Sequence, residues 1–185
     1  MLHIPVDQET HIRMLLLQDS NELFQLIDQN RTYLKEWLPW IDHIISPYQY
    51  QSIIPDWHKQ LSDNNGFQAG IFHRDKLVGM ISLQQLDWMS RQASIGYYLG
   101  ESVQGKGIMT KCVAAVLNHA FYYLNLNRIE IRCGINNVKS QAIPKKLHFR
   151  KEGIIRDGEW LYDHYHDLYL YSMLEREWTA LHQRK

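Results

Sequence analysis

The sequence predicts a single α/β domain in which helices flank a mixed β-sheet. The length of 185 residues suits one domain and would be cramped for two. Strand-like and helix-like segments follow one another in the order β-α-α-β-β-β-α-β-α-β-β. The longest amphipathic helix lies between two strand-like runs, so the strand–helix–strand unit around residues 94 to 135 implies two strands that pair locally in parallel or splay apart.

The first part of the chain is predicted to form one strand and two helices. Residues 11 to 17 are mostly apolar and strand-like. Asp-Ser-Asn at residues 19 to 21 offers side chains that cap a helix, so a helix begins there. An aromatic segment follows at residues 33 to 41, where Pro39 interrupts a continuous helix, and a polar helix covers residues 49 to 63.

Three strands and the longest helix follow. Residues 67 to 73 and 76 to 86 are strand-like with a short polar link between them, which predicts a hairpin. A third strand covers residues 93 to 99. From residue 108 to 124 apolar side chains recur at i, i+3, i+4 and i+7, which predicts a helix with one buried face. The next strand, at residues 128 to 135, alternates apolar and polar side chains.

A short helix and two strands complete the predicted domain. The helix follows Asn137, and the strands lie near residues 149 to 155 and 164 to 173. The last strand is aromatic between residues 168 and 173. Such a strand could pair or pack against a second copy of the chain, so a homodimer is a further expectation.

Composition and charge exclude several classes of protein. Lys and Arg number 20 and Asp and Glu number 20, which gives a formal net charge of zero and argues against a general binder of nucleic-acid phosphates. No apolar run approaches the roughly 18 residues that cross a bilayer, and the N-terminus resembles no secretion signal. Cys112 and Cys133 are too far apart for a CxxC pair. These features predict a cytoplasmic protein with free thiols, bound neither to membranes nor directly to nucleic acid.

The most informative segment runs from residue 99 to 110, Leu-Gly-Glu-Ser-Val-Gln-Gly-Lys-Gly-Ile-Met-Thr. A strand ends here, a glycine-rich turn follows, and the amphipathic helix begins. Helix starts carry unpaired amides and partial positive charge, and glycines let this backbone approach a phosphate closely. The segment is therefore a candidate pyrophosphate site, although its spacing matches neither the P-loop nor GxGxxG. An ordinary turn at a helix start is the alternative.

Residues 104 to 109, Gln-Gly-Lys-Gly-Ile-Met, resemble the Gln/Arg-x-x-Gly-x-Gly/Ala signature of the GNAT acyltransferases. Met109 departs from the small last residue, as is common in the branch that acetylates ribosomal-protein N-termini. Other blocks resemble that branch in the same order along the chain: residues 37–40, 95–99, 127–130, 137–140, 148–149, 152–153, 159–160 and 166–167. The resemblance spans about residue 10 to 178 and identifies residues 1–185 as a single GNAT domain with a mixed, splayed central sheet.

The resemblance implies that the turn holds the pyrophosphate of acetyl-CoA while the pantetheine chain lies between the splayed strands. The binding residues it implies are Leu99, Val103, Gln104, Gly105, Lys106, Gly107, Met109, Thr110 and Asn137. A free N–H near Leu99 would polarise the thioester oxygen. Asn137 would anchor the pantetheine amides, with plain helix capping as its alternative. No metal is expected, because strand alternation explains His164 and His166.

Acetyl transfer needs a neutral amine and a proton donor for the leaving thiolate. The resemblance implies that Ser140 is this donor, with a capping hydroxyl as the alternative. It implies that Glu159 is the general base, with a solvated loop carboxylate as the alternative, and Asp87 is a second choice of base. Transfer is expected to be direct, with Cys133 an inert buried side chain rather than a nucleophile.

The sequence therefore predicts an acetyl-CoA-dependent N-acetyltransferase acting on a protein N-terminal α-amine, that of a ribosomal protein in the branch it resembles. An α-amine has a pKa of about 7.7–8.0, against about 10.4 for lysine, so a weak base suffices. Two alternatives stay open: an enzyme for a small amine such as a polyamine, a drug or an amino acid, and a non-catalytic acetyl-CoA-binding module. Trp37, Trp40 and Trp57 are expected in part to line the acceptor groove.

Overall fold

A computed structural model describes residues 2–183 of the chain. Its centre is an eight-stranded sheet in the order β1-β2-β3-β4-β5-β6-β8-β7. The pair β5–β6 is parallel and every other neighbouring pair is antiparallel, which confirms the predicted mixed sheet. The strands are β1 (His3–Pro5), β2 (Thr10–Arg13), β3 (Phe67–His73), β4 (Lys76–Asp87), β5 (Gln92–Leu99), β6 (Arg128–Gly134), β7 (Arg150–Leu161) and β8 (His164–Leu174).

Helices connect the strands and flank the sheet. The α-helices are α1 (Ser20–Gln29), α2 (Arg31–Leu34), α3 (Tyr50–Ser62), α4 (Ile108–Asn118), α5 (Val138–Lys146) and α6 (Glu175–His182). Short 3-10 turns lie at Leu17–Asp19, Ile41–His43, Pro47–Gln49 and Glu101–Val103. None of the helices in the described chain combines the length and apolar character needed to cross a membrane.

The central feature of the sheet is a gap between β5 and β6. The two strands pair only from Gln92 to Ser94 on β5, opposite Arg128 to Glu130 on β6. Beyond these pairs the strands diverge. In the second half of each strand, the backbone N–H and C=O groups on the edge that faces the gap therefore have no partner strand. This gap, called the splay below, confirms the expectation that the strand–helix–strand unit combines a short parallel pairing with a separation.

Apolar side chains bury both faces of the sheet. On one face α4 and α6 contribute Val116 and Trp178 to the larger core cluster. On the other face α1, α2 and α3 cover a second cluster that includes Leu23. Neighbouring residues of β3 show the alternation, since Ile71 belongs to the first cluster and Phe72 to the second. Helices on both faces explain why β3 and the first half of β4 are buried on nearly every residue.

Several elements differ from the sequence prediction. The first predicted strand stops at Arg13, because the Asp19 carboxylate binds the Arg13 guanidinium at 2.8 Å and accepts the Leu16 amide at 2.7 Å, which turns the chain. The predicted helix over residues 108 to 124 widens after Asn118 into a π-helical turn. Strand β1 and helix α6 were not predicted from the sequence.

The C-terminal strand is not at the edge of the sheet. Strand β8 lies between β6 and β7 and is hydrogen-bonded to both. Its two edges are therefore used within the chain, so the expectation that this strand pairs with a second copy is wrong, whereas packing against a second copy stays a prediction. The edge strand on this side is β7.

Candidate active site

The glycine-rich turn leads from the end of β5 into α4. After Leu99 the chain forms the 3-10 turn Glu101–Val103 and then an open loop. Gly105 and Gly107 have φ angles of +75° and +78°, in the left-handed region that glycine enters without strain. Gly107 is the N-cap residue of α4, so the helix begins at the end of this loop. The predicted strand–turn–helix arrangement is present.

The loop presents backbone donors to open space. The amides of Gly105 to Thr110 find no hydrogen-bond acceptor within residues 2–183, whereas the Lys111 amide already donates to the Gly107 carbonyl. A Cβ atom built on Gly105 or Gly107 would meet no atom within 4 Å. Unpaired amides at a helix N-terminus attract anions, so this loop fits the diphosphate of coenzyme A. Residues Gly105 to Thr110 are called the cradle below.

A cleft of about 680 Å³ and a second of about 510 Å³ lie on either side of a common junction. The smaller one, the cradle cleft, runs from the cradle along β5 to α5. Of the binding residues implied by the resemblance, those lining it are Leu99, Gln104, Gly105, Gly107, Met109, Thr110 and Asn137. Val103 packs against the core instead, and the exposed Lys106 ammonium donates to the Ser102 carbonyl.

The splay supplies polar groups to the cradle cleft. The Gly100 amide donates to the Val78 carbonyl on β4, so alternation along the strand turns the Leu99 peptide groups towards the splay. The Leu99 carbonyl accepts from Gln104 Nε2 at 3.3 Å. Its amide is the donor that the sequence analysis expected to face a thioester oxygen.

The larger cleft, called the polar cleft, lies under the aromatic segment between α2 and α3. Trp37, Trp40 and Trp57 all line it, whereas the sequence analysis expected only part of this set to line the acceptor groove. Most of its polar lining residues are uncharged: Gln68, Ser82, Gln84, Gln85, Ser94 and Asn137. Glu159 and Arg132 are its carboxylate and its guanidinium, and His166 lines it as well.

Ser140 lies where the two clefts meet. It lines both, as do Asn137 and Tyr97. The Asn137 side chain accepts the Ser140 amide at 3.0 Å and so caps α5, which places the serine in the first turn. The Ser140 hydroxyl points to the Cys133 sulfur at 3.3 Å. Asn137 and Ser140 therefore take part in the cap of α5 and also lie at the junction of the two clefts, so the two roles are compatible.

Glu159 reaches the polar cleft through an irregularity in β7. Between Ile155 and Glu159 the register shifts, so that Glu159 pairs with His166 on β8. Bulges re-aim side chains in this way. The Glu159 carboxylate lies 2.8 Å from His166 Nε2. Sequence reasoning missed this pair, because it depends on a register that no local pattern specifies.

Asp87 does not reach either cleft. It lies at the end of β4, where its carboxylate accepts the Ser90 amide at 3.0 Å in a tight turn. Hydrogen bonds from Ser90 lower the pKa of Asp87, as is usual for a carboxylate that holds a turn. This position favours Glu159 over Asp87 as the base.

The Cys133 thiol and the Tyr97 phenol, both near Ser140, are kept uncharged. Burial raises the pKa of the Cys133 thiol above its ordinary value, and burial likewise raises the pKa of the Tyr97 phenol. A thiolate is the nucleophilic form of cysteine, so Cys133 is poorly suited to attack a thioester. In the described residues no group of three or more His, Cys, Asp and Glu side chains could hold a metal ion.

Residues 10–150 match the Acetyltransferase (GNAT) domain family. The chain is 40% identical over 181 residues to the Bacillus subtilis protein named "Putative ribosomal N-acetyltransferase YdaF", covering 97% of this chain and 99% of that protein. It is 28% identical over 173 residues to the ribosomal-protein-serine acetyltransferase of Escherichia coli, and the match covers 92% of this chain and 96% of that protein. A solved structure of the ribosomal L7/L12 α-N-protein acetyltransferase RimL, with coenzyme A in a disulfide with a cysteine, matches with a TM-score of 0.89 at 26% identity, covering 94% of this chain and 98% of that one.

The chain therefore belongs to the GNAT acetyltransferase family, and it is an N-acetyltransferase. The family and the fold that the sequence analysis expected are both confirmed. GNAT acetyltransferases use acetyl-CoA, and the open cradle fits that cosubstrate.

Proposed function

We propose that this enzyme transfers acetyl from acetyl-CoA directly to the N-terminal α-amine of a protein, and that the acceptor is a ribosomal protein. The observation that carries the proposal is the junction of the two clefts at Ser140, with Glu159 on the acceptor side. A thioester held in the cradle cleft and an amine held in the polar cleft would meet there.

On the donor side, acetyl-CoA supplies the acetyl group as a thioester, and its transfer to an amine forms a C–N bond and releases the thiol. The cradle amides hold the diphosphate, and Gln104 and Asn137 line the path of the pantetheine chain. The Leu99 amide donates to the thioester oxygen and stabilises the negative charge that develops there. The side chains of Val103 and Lys106 do not line the cradle cleft, so these two residues contribute only through the backbone of the turn.

On the acceptor side, the Glu159 carboxylate takes the proton that the amine loses, directly or through one water. The Ser140 hydroxyl gives its proton to the departing sulfur and regains one from solvent. His166 holds the Glu159 carboxylate from the neighbouring strand at 2.8 Å and so orients it toward the cleft. These two proton transfers balance, and neither requires a covalent intermediate on Cys133.

The charge of the polar cleft favours a peptide over a polyamine. Its lining contains a single carboxylate, Glu159, and a guanidinium, Arg132. A polyamine carries several cations and would require several carboxylates, whereas an N-terminal peptide presents one amine and a chain of amides. The uncharged glutamine and serine side chains of the cleft suit such amides. The names of the relatives point to the same acceptor class.

The acceptor can be identified by measuring coenzyme A release with a panel of amines. The panel contains peptides with ribosomal-protein N-termini, the same peptides with a blocked α-amine, spermidine and free amino acids. We expect turnover only with a free α-amine and a kcat/KM for the best peptide at least about 10-fold above that for spermidine. Higher turnover with spermidine would favour the small-amine alternative. Coenzyme A binding without turnover on any amine would favour the non-catalytic alternative.

The role of Ser140 has its own test in the same assay. Ser140→Ala should lower kcat about 100-fold, because the leaving sulfur loses its proton donor, while the KM for acetyl-CoA stays nearly constant. Ser52→Ala, which removes an exposed hydroxyl on α3, is the matched control and should keep full activity. An unchanged kcat in Ser140→Ala would refute the assignment.

Two further expectations accompany this function. A ribosomal acceptor places the reaction in the cytoplasm, where ribosomes are assembled. A homodimer stays a prediction, but it would have to form through a surface other than the edges of β8. Light scattering on the purified chain measures the assembly state directly.

A further inference from the structure

We propose that Tyr97 is a positioning residue that replaces a helical hydrogen bond removed by Pro144 and thereby holds Ser140 at the junction of the clefts. This inference rests on the proposed function, because it concerns the serine that serves as the proton donor there. Tyr97 lies on β5 at the splay, and Pro144 lies inside α5.

Pro144 leaves one carbonyl of α5 without its usual partner. In an α-helix the amide of residue i donates to the carbonyl of residue i−4, and proline has no amide hydrogen. The carbonyl four residues before Pro144 is that of Ser140. The missing hydrogen bond therefore falls on the residue at the junction.

Tyr97, on β5, supplies the missing hydrogen-bond donor. Its hydroxyl donates to the Ser140 carbonyl oxygen at 2.9 Å. The Ser140 amide is held on its other side by the Asn137 side chain at 3.0 Å. Both backbone groups of Ser140 are thus bound by side chains, which satisfies the carbonyl that the helix leaves without a partner.

The same hydroxyl also leaves the Ser140 proton available. Because the Tyr97 hydrogen is used on the carbonyl, its oxygen remains only as an acceptor, 3.5 Å from the Ser140 hydroxyl oxygen. The other neighbour of that hydroxyl is the Cys133 sulfur at 3.3 Å, a weak acceptor. Ser140 therefore keeps a proton with no strong competing acceptor, which suits transfer to a departing sulfur.

A double-variant cycle separates positioning from direct catalysis. Tyr97→Phe should lower kcat about 10-fold with the KM for acetyl-CoA changed less than about 2-fold, because the serine loses its anchor while the cradle is untouched. In Pro144→Ala the new amide of residue 144 donates to the Ser140 carbonyl within the helix. The Tyr97→Phe, Pro144→Ala double variant should therefore recover to within about 3-fold of Pro144→Ala alone.

The matched control is Tyr171→Phe. Tyr171 is a buried tyrosine whose hydroxyl has no hydrogen-bond partner within the described residues, so its removal should leave kcat unchanged. A loss in Tyr97→Phe that Pro144→Ala does not rescue would overturn the proposal, because it would mean that the phenol acts on the reactants directly. A normal kcat in Tyr97→Phe would overturn it as well.

A measurement independent of activity keeps this inference distinct from the proposed function. The carbonyl carbon-13 shift of Ser140 in the ligand-free protein reports its hydrogen bond. It should move upfield in Tyr97→Phe and return in the double variant. If Ser140→Ala has a normal kcat while these shifts appear, the proposed role of Ser140 fails and the hydrogen bond stands. If the carbonyl shift of Ser140 is unchanged in Tyr97→Phe, the inference itself is refuted. If Tyr97→Phe does not fold, recovery of folding in the double variant supports the inference.

Discussion

The two clefts on either side of Ser140 are built in different ways. The cradle cleft uses backbone amides of one continuous segment, Gly105 to Thr110, and its shape depends on two glycines with positive φ. The polar cleft uses side chains from strands and loops far apart in the chain, with Glu159 and His166 brought together across β7 and β8. A site made of backbone amides keeps its ligand class when side chains around it are substituted. A site made of side chains can change its acceptor through a single substitution.

This difference predicts where substitutions act. Changes in the polar cleft should affect the chemical step and the choice of amine. Changes in the cradle should affect affinity for coenzyme A and little else. The following predictions test that division, starting with the largest expected effect.

Glu159→Gln should lower kcat about 100-fold at pH 7, because the amine loses its base. An α-amine with a pKa of about 8 is about one tenth neutral at pH 7 and about nine tenths neutral at pH 9, so the deficit should shrink as pH rises. The measurement is kcat for a peptide acceptor against pH for both proteins. The affinity for coenzyme A should be the same in both, in contrast to cradle variants.

Asp87→Asn is the control for Glu159→Gln. Asp87 holds a turn outside both clefts, so its amide variant should keep kcat although it could unfold at a lower temperature. A deficit of equal size in Asp87→Asn would contradict the assignment of the base.

Gly107→Val should weaken coenzyme A binding about 10-fold or more. A β-branched residue at a φ of +78° costs about 1–3 kcal/mol of strain, which the loop would relieve by moving its amides. Calorimetry with coenzyme A measures the change in Kd, and saturating acetyl-CoA should restore most of kcat.

Gly153→Ala provides the matched control for the cradle variant. Gly153 lies on β7 outside the positive-φ set, and a Cβ there would meet no atom within 4 Å, so binding should be unchanged. If Gly107→Val binds coenzyme A normally, the cradle does not depend on its glycine conformation.

The smallest expected effect concerns the strands that carry the polar cleft. Arg128 on β6 binds Glu152 on β7 at 2.7 Å, and Glu152 also accepts from Ser172 on β8. Hydrogen bonds from Arg128 lower the pKa of Glu152 from 4.5 to about 2. Since the folded pKa lies below the unfolded one, this stabilisation is complete above pH 4.5 and is lost as pH falls towards 2.

Glu152→Gln measures that contribution. Solvent screens a partly exposed pair, so the free energy of unfolding should fall by about 1 kcal/mol near pH 7. The difference between the variant and the natural chain should vanish as pH approaches 2, in denaturant titrations at a series of pH values. A difference that is constant with pH would show that the pair does not titrate as described.

The sequence predicted the strand–turn–helix backbone of the cradle well because its information is local. Gly105 and Gly107 lie between a strand and a helix whose patterns are strong, and helix starts follow simple physical rules. The central strands and α4 were predicted for the same reason. Strand β1 has only three residues, too few for a period to be visible, and α6 buries mainly Trp178.

The acceptor side could not be predicted to the same depth because its information is long-range. The contact of Glu159 with His166 requires the register shift in β7, which is fixed by pairing with β8 rather than by local sequence. Pro144 lies inside α5, where a proline removes one helical hydrogen bond and is therefore unfavourable. Its position becomes understandable only when Tyr97, 43 residues from Ser140, is found to supply the missing donor.

The proposed function depends above all on the backbone amides of Gly105 to Thr110 holding the diphosphate of coenzyme A. This binding is tested most directly by following the amide nitrogen and proton shifts of the labelled protein during titration with coenzyme A. We expect the largest shifts on Gly105 to Thr110, with smaller ones at Leu99. Unchanged cradle amides, together with large shifts confined to another surface, would contradict it.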